Sequence, residues 1–195
     1  MRHGYAGTTM HSIARDAGVS VATLEQQFAT KAGLLKAAID VAIVGDDEPV
    51  PVLDRDWAAG ATETATVAAL LRAVTEVLGP AQRRSSGLVL AVFEGAATDP
   101  GLASVAEQMI AQRSGTASWI VDAVVRLAPS RAGLTRAEAV DTTWLLMDPA
   151  VFQRLVRDRG WSVERYQDWF ASSLTRLLTD EETDRPERND HEQHG

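Results

Sequence analysis

The sequence predicts an all-α protein with a small N-terminal domain and a larger helical body. Apolar residues recur at helical spacing along most of the chain, with Ser, Thr or Asp where each apolar stripe begins and Gly or Pro where it ends. No segment shows the strict apolar–polar alternation of a half-buried strand, and no internal repeat is visible. We expect one domain over residues 1–44, a second over 52–179, and a disordered acidic tail over 180–195.

Composition sets the size of the core and excludes several kinds of site. With 195 residues and 45% hydrophobic composition, the chain can bury one ordinary core and a small satellite domain. The net charge is −8, and residues 1–44 hold four basic and three acidic side chains, so this segment is +1 and the remainder −9. Because there is no cysteine, disulfides, thiolate chemistry and cysteine-based zinc sites are excluded.

Residues 9–31 predict two short helices joined by a tight turn. Thr9 and Ser20 can cap them, because a side-chain oxygen there accepts from an otherwise unpaired backbone N–H. Gly18 stands where the turn requires a positive φ, and Leu24, six residues later, faces the shared apolar core. This spacing is that of a helix-turn-helix that reads DNA, although a plain helical hairpin has a similar pattern.

The later helices are predicted from the same start and stop signals. Asp99-Pro100 opens a long helix with Gly115 as a possible bend, and Thr135 with Glu138 forms a capping box. Gly79-Pro80 is expected to end one helix, and the stretch around Trp57 has no assignment. The predicted ranges are 31–44, 64–78, 86–97, 99–128, 135–147, 149–159 and 163–178.

The first 44 residues resemble the N-terminal domain of the tetracycline-repressor (TetR) family. The matching residues are Gly4-Tyr5, Thr8-Thr9, Ile13-Ala14, Ala17-Gly18-Val19-Ser20, Thr23-Leu24, Phe28, Lys31 and Leu34-Leu35. Beyond them the resemblance rests on an all-helical layout of family size and on residues 141–161, which are similar to a C-terminal segment of family members. The resemblance implies that the second helix enters the major groove of double-stranded DNA.

The resemblance also implies which side chains contact the DNA. The first helix would reach phosphate or a base edge, the start of the second would approach thymine methyls, and its amides would pair with adenine. Lys31 would hold a phosphate beside a helix N-terminus, whereas His11 could equally be an ordinary surface histidine. The implied DNA-binding residues are Thr9, His11, Ser20, Val21, Ala22, Thr23, Glu25, Gln26, Gln27 and Lys31.

Two departures from the family pattern affect DNA binding. Family members carry a complete helix before Gly4-Tyr5, whereas only Met1 to His3 precede it here, so we expect either further residues upstream or a partly uncovered core. Glu25 stands where the family has a tyrosine that touches the DNA backbone. A carboxylate there repels phosphates and is expected to weaken binding by about 1 to 3 kcal/mol, unless a neighbour such as Arg15 accommodates it.

Two charged residues interrupt the apolar stripes of the body. Arg113 falls in the middle of one stripe, and Glu94 is the one charge in an apolar helix. They could form a structural ion pair, Arg113 could swing to solvent at Gly115, or both could face a cavity. Because the family body encloses a small-molecule site, the last alternative implies an effector pocket lined by Glu94, Met109, Arg113, Trp119 and Trp144.

The C-terminal helices carry more apolar surface than one small body readily buries. The resemblance implies that they form a two-fold helical bundle in a homodimer, while ordinary intramolecular packing is the alternative. The interface residues so predicted are Trp144, Phe152, Leu155, Tyr166, Trp169, Phe170, Leu174 and Leu177.

The functional hypothesis is a homodimeric transcriptional regulator, a repressor, that binds a palindromic operator and is released by an unknown small-molecule effector. The rival is a dimeric ligand- or protein-binding module that has lost operator binding. An enzyme is disfavoured, because only His3 and His11 lie outside the tail and no catalytic triad, multi-histidine metal site or cofactor motif can be assembled. We expect no membrane span and a cytoplasmic location, since no apolar run reaches eighteen residues and no leader pattern is present.

Overall fold

The computed structural model describes residues 4–46, 48 and 50–180, and within them the fold is all-α, as predicted. A 3₁₀ turn at Val52–Asp54 precedes the helix that begins at Asp56, and a π-helical turn at Arg154–Asp158 continues the helix that ends at Gln153. The helices are α1 Met10–Ala17, α2 Val21–Phe28, α3 Lys31–Val44, α4 Asp56–Thr62, α5 Val67–Gly95, α6 Pro100–Leu127, α7 Arg136–Leu146, α8 Pro149–Gln153 and α9 Val163–Leu178. Of the predicted disordered tail, residues 181–195 lie outside the described residues.

The first two helices form the predicted helix-turn-helix. The Thr9 side chain accepts from the Ser12 N–H at 3.1 Å, and the Ser20 side chain accepts from the Thr23 N–H at 3.0 Å. Gly18 ends α1 with φ of 69°, the left-handed conformation that glycine adopts without steric cost. The sequence therefore predicted both caps and the turn correctly.

The predicted break at Gly79-Pro80 is wrong, because α5 runs unbroken from Val67 to Gly95 with Pro80 inside it. Pro80 has no N–H for the carbonyl of the exposed residue Glu76, where water can reach it. The preceding carbonyl, that of Thr75, accepts a hydrogen bond from Nε2 of Gln167 on α9 at 2.6 Å. A Cβ on Gly79 would lie 2.7 Å from the same nitrogen. Packing against α9 thus supports a helix that local propensity would have ended.

Two clusters of buried residues make up the core of the described chain. The larger joins α4, α5, α6, α7, α8 and α9 and includes the fully buried Tyr166 and Phe170. The smaller joins α3 to α5 and α6 through Ile39, Val92 and Leu102, each at 0% exposure. The third helix therefore packs its apolar side against the body, and the predicted division after residue 44 remains a prediction. Because α2 contacts α3, and α1 contacts α2, this packing also positions the helix-turn-helix relative to the body.

Candidate functional site

The second helix presents a polar face to solvent. Leu24 anchors it at 8% exposure, and Val21 is half-buried. The remaining side chains predicted to read DNA from this helix are exposed: Ala22, Thr23, Glu25, Gln26 and Gln27. The structure therefore leaves this face free of the protein's own body, as a DNA-reading helix requires.

The side chains predicted to contact DNA from the flanks of α2 are partly engaged within the protein. Thr9 and Ser20 are exposed, but both hydroxyl oxygens act as helix caps. His11 is exposed on α1. The Thr9 hydroxyl also donates to the Ser12 hydroxyl at 3.4 Å, and the Ser20 and Thr23 hydroxyls are hydrogen-bonded at 2.7 Å. A phosphate contact would therefore require these hydroxyls to turn away from their neighbours.

Lys31 is half-buried and is held by the segment before α1. Its Nζ donates to the carbonyl oxygens of Tyr5 and Thr8, both at 3.0 Å, and lies 3.9 Å from the centre of the Tyr5 ring. Two of its three N–H donors are therefore used inside the protein. The predicted phosphate clamp keeps at most one donor in this arrangement.

Tyr5 connects this N-terminal region to the body. Its hydroxyl donates to Oδ2 of Asp99 at 3.2 Å, and Oδ1 of Asp99 caps α6 by accepting from the Gly101 and Leu102 N–H groups. The Leu102 N–H is the main cause that lowers the pKa of Asp99. Burial, aided by Asp99, raises the pKa of Tyr5 to about 12. The start of α6 lies close to α3 here, since a Cβ on Gly101 would lie 3.1 Å from the Cβ of Ala32.

The other end of α3 is tied to α5 by an arginine. Nε of Arg84 donates to the Ala42 carbonyl oxygen at 2.7 Å, and Nη2 donates to that of Ile43 at 2.9 Å. These carbonyls belong to the last turn of α3 and lack partners within the helix. The guanidinium also meets the negative end of the helix dipole, so α3 is held at both ends.

A cavity of about 690 Å³ opens between α3, residues 48 and 50–54, Trp57 of α4, α5, α6 and the start of α8. Its volume is that of a site for a drug-sized ligand. The walls are mainly apolar, and the charged lining residues are Asp40, Glu48, Asp54 and Arg113. The apolar lining includes Val74, Leu78, Val89, Phe93, Met109, Ile120 and Met147.

Arg113 lines this cavity but does not pair with Glu94, which is exposed. Its Nη1 lies 3.0 Å from Oδ2 of Asp148, and its guanidinium carbon lies 4.0 Å from the centre of the Trp144 ring. The predicted partner is therefore wrong, because Glu94 points to solvent while Asp148 stands at the corner before α8. The sequence analysis gave an ion pair and a place at the cavity as alternatives for Arg113. In the structure Arg113 has both.

Of the five predicted pocket residues, Met109 and Arg113 line the cavity. The two tryptophans stand behind the lining: Trp144 lies against Arg113, and Trp119 packs edge-on against the lining residue Trp57 at 5.6 Å between ring centres. Glu94 does not line it. Sequence analysis missed Glu48 and Asp54, two acidic residues of the cavity lining, because no periodic pattern places a loop against a cavity.

The comparisons with known proteins agree with this geometry. The sequence profile of bacterial regulatory proteins of the tetR family matches residues 1–38. The N-terminal domain is a TetR-family DNA-binding domain. No curated protein matches the sequence.

Two solved structures share the fold beyond the TetR-family domain. One, from Saccharomonospora viridis, is described as a transcriptional regulator in complex with choline; it is 19% identical, with 92% of this chain and 91% of that chain covered and a TM-score of 0.66. The other, from Pseudomonas aeruginosa PAO1, is also described as a transcriptional regulator; it is 16% identical, with 90% and 82% covered and a TM-score of 0.61. At these identities the likeness concerns the fold.

The predicted dimer residues divide into two sets. The set buried in the chain's own core consists of Phe152, Tyr166, Phe170 and Leu174. Trp144, Leu155 and Trp169 are half-buried against the same core, and Leu177 is 42% exposed. Most of the apolar face of α9 is therefore buried within one chain. Intramolecular packing of this kind was the alternative to a dimer interface in the sequence analysis. Leu145, at 58% exposure, is the most exposed large apolar residue of the described chain.

Neither a metal-binding cluster nor a membrane-spanning helix is found in the described residues of the body and the TetR-family domain. No group of three or more His, Cys, Asp or Glu side chains there is placed to hold a metal ion. None of the helices in that part of the chain combines the length and the apolar character needed to cross a membrane.

Proposed function

We propose that this protein is a homodimeric, ligand-responsive repressor that binds a palindromic operator through its TetR-family domain. The observation that carries the proposal is the position of α6. Its first turn is bonded to Tyr5 through Asp99, and Met109 and Arg113 further along the same helix line the cavity. A ligand that shifts α6 would therefore act directly on the segment that holds α1 and α3.

DNA reading is assigned to the exposed face of α2. Gln26 and Gln27 supply amides suited to adenine edges, while Ala22 and Thr23 are small enough to approach thymine methyl groups. One such helix reads few base pairs, so two copies spaced by one helical turn of DNA provide the specificity. The exposed Leu145 on α7 and Leu177 on α9 supply apolar surface for joining the two copies.

The regulatory step is a population shift. An effector in the cavity that prefers one arrangement of α6 favours that arrangement by its differential affinity for the two states. If the recognition helices are spaced wrongly for the operator in that state, DNA is released. The choline in the structure from Saccharomonospora viridis supports the assignment of a small-molecule effector.

The test is binding of the full chain to the DNA that flanks its own gene, followed by fluorescence anisotropy at low salt. We expect saturable binding that is lost in the double variant Gln26→Ala and Gln27→Ala. Gln108→Ala, a change of the same kind at an exposed position on α6, should bind as the wild type does. Because phosphate contacts dominate nonspecific affinity, the specific complex should survive competitor DNA.

A second candidate function has support from two observations. Glu25 places a carboxylate on the exposed face of α2, and Lys31 uses two of its donors within the protein. A helical ligand- or protein-binding module without operator contact would show both. If a folded dimer shows no binding to this DNA at low salt, the module would be favoured over the repressor.

A further inference from the structure

Arg113 is the one basic residue among those that line the cavity. Its side chain is 12% exposed, and its five N–H donors have a single ion-pair partner, Asp148. Among the described residues, Nε of Arg113 is enclosed without an acceptor. The guanidinium therefore stands at the cavity with more donors than the protein supplies acceptors.

Three uncharged polar side chains at the cavity donate within the protein. Nε2 of Gln82 donates to the Met147 carbonyl oxygen at 2.6 Å, and the Ser85 hydroxyl donates to that of Ala81 at 2.8 Å. The hydroxyl of Thr116 donates within its own helix. Arg113 differs from these groups because its capacity to donate is largely unused.

An unbalanced guanidinium in this position is unfavourable. Burial lowers the pKa of Arg113, while the charge of Asp148 opposes that shift. Asp148 also uses its other oxygen to cap α8, accepting from the Ala150 N–H at 2.8 Å. An additional acceptor on the cavity side would bond the Nη donors that Asp148 leaves unpaired, since Nε itself is enclosed by protein atoms. Charge-assisted hydrogen bonds of this kind are the stronger ones.

The remaining charges at the cavity are carboxylates, half-buried at Asp40 and exposed at Glu48 and Asp54. Asp40 is paired with Lys36 at 2.6 Å, whereas Glu48 and Asp54 are open to solvent. Water screens such charges, so they attract a cation weakly compared with the hold of a mostly buried guanidinium on an anion. They do, however, oppose a second negative charge on a bound molecule.

We propose that the effector is an amphipathic monocarboxylate whose oxyanion accepts hydrogen bonds from Arg113 and whose apolar body lies along α5 and α6. The apolar contacts would come from Val74, Leu78, Val89, Met109 and Ile120. This inference rests on the proposed function only in taking the cavity as the effector site. The ligand class itself follows from the unused donors of Arg113 and the apolar walls.

The experiment is calorimetric titration of the full chain, without DNA, with three probes of equal chain length: decanoate, decanol and decylamine, each below its micelle concentration. We expect decanoate to bind about 10-fold more tightly than decanol, and decylamine most weakly. Equal affinity for decanoate and decanol would overturn the proposal. Tighter binding of decylamine would also overturn it, and would indicate that the exposed carboxylates recognise a cation.

Substitutions of Arg113 test whether its guanidinium binds the carboxylate of decanoate. Arg113→Met should lower decanoate affinity about 10-fold and leave decanol unchanged, and Arg113→Lys should lower it less, because one point charge replaces the guanidinium fork. Arg126→Met, at an exposed position on the same helix that does not line the cavity, should bind decanoate normally. If Arg113→Met does not fold, Arg113→Lys decides, and unchanged decanoate affinity in it contradicts the proposal.

Operator binding separates this inference from the proposed function. Failure to bind decanoate, with operator binding intact, removes the ligand class and leaves the repressor. Failure to bind operator removes the repressor, whatever the result with decanoate.

Discussion

The hydroxyl of Tyr5 donates to the carboxylate of Asp99 across 94 positions of sequence, at 3.2 Å. Tyr5 belongs to the segment that carries the TetR-family motif, and Asp99 caps the helix that lines the cavity. Lys31 adds a second layer by lying over the Tyr5 ring and bonding its carbonyl. This small cluster is a direct polar connection between the segment preceding the helix-turn-helix and the body.

Removal of the Tyr5 hydroxyl should weaken that connection. Tyr5→Phe keeps the ring beneath Lys31 but loses the bond to Asp99, so the free energy of unfolding should fall by about 1 kcal/mol at neutral pH. The measurement is urea denaturation of both proteins. An unchanged midpoint would mean that the bond adds no net stability.

The same variant should change the alkaline limb of the stability curve. The pKa of Tyr5 is raised from 10.0 to about 12, so the folded state favours the neutral phenol. Its contribution is complete below pH 10 and is lost as the pH rises toward 12. Tyr5→Phe should lack that part of the alkaline loss, whereas the contribution of Tyr166, whose pKa is also raised by burial, remains in both proteins. Parallel curves over this range would contradict the assignment to Tyr5.

Neutralisation of Glu25 should tighten operator binding. Glu25→Tyr restores the residue that the family pattern has at this exposed position and removes the repulsion from phosphates, for an expected gain of about 1 to 3 kcal/mol. The matched control is Glu107→Gln, which removes one negative charge at an exposed position on α6. Anisotropy titrations at two salt concentrations measure the effect. Equal gains in both variants would indicate a general charge effect.

Two glycines of α5 should respond to alanine with opposite signs. In Gly79→Ala the new methyl meets the Gln167 side chain at 2.7 to 2.9 Å, so we expect a loss of about 1 to 3 kcal/mol. In Gly87→Ala nothing lies within 4 Å, so the higher helix propensity of alanine should stabilise by about 0.5 to 1 kcal/mol. Thermal unfolding compares the two. A stabilised Gly79→Ala would show that Gln167 moves aside without cost.

The homodimer can be tested at its exposed leucine. Leu145→Glu places a charge at the 58% exposed position on α7 and should convert a dimer to a monomer, because burial of an unpaired charge opposes association. Ile110→Glu, at 42% exposure on α6, is the control and should leave the mass unchanged. Light scattering after size-exclusion chromatography gives both masses. A dimeric Leu145→Glu would place the interface elsewhere.

The sequence predicted the helix-turn-helix well because its signals are local. Thr9, Gly18 and Ser20 act on backbone groups within a few residues, so their roles can be read without knowing the rest of the fold. The same holds for the caps at Asp99 and Thr135. The sequence predictions failed where distant contacts decide the structure. At Pro80, for example, α5 continues as a helix, and the Gln167 side chain of α9 bonds its backbone nearby.

The candidate site divides in the same way. The exposed reading face of α2 follows from amphipathic spacing, and Arg113 stood out because a charge in an apolar stripe requires a partner. Its actual partner, Asp148, could not be chosen over Glu94 from spacing, since Glu94 lies on α5 and Asp148 in the turn before α8, both outside the helix of Arg113. The apolar residues of α9 were assigned to a dimer because the pattern of burial is the same whether the cover is the chain itself or a second copy.

By itself, then, the sequence determined the helical class, the caps, the turn at Gly18 and the TetR-family character of the first helices, because each depends on neighbouring residues. Only the tertiary structure decided that α5 continues through Pro80, that Tyr5 reaches Asp99, that Lys31 is held inside, and that Arg113 faces a cavity beside Asp148. These contacts join residues far apart in the chain, and their energies depend on burial and geometry that no local pattern specifies.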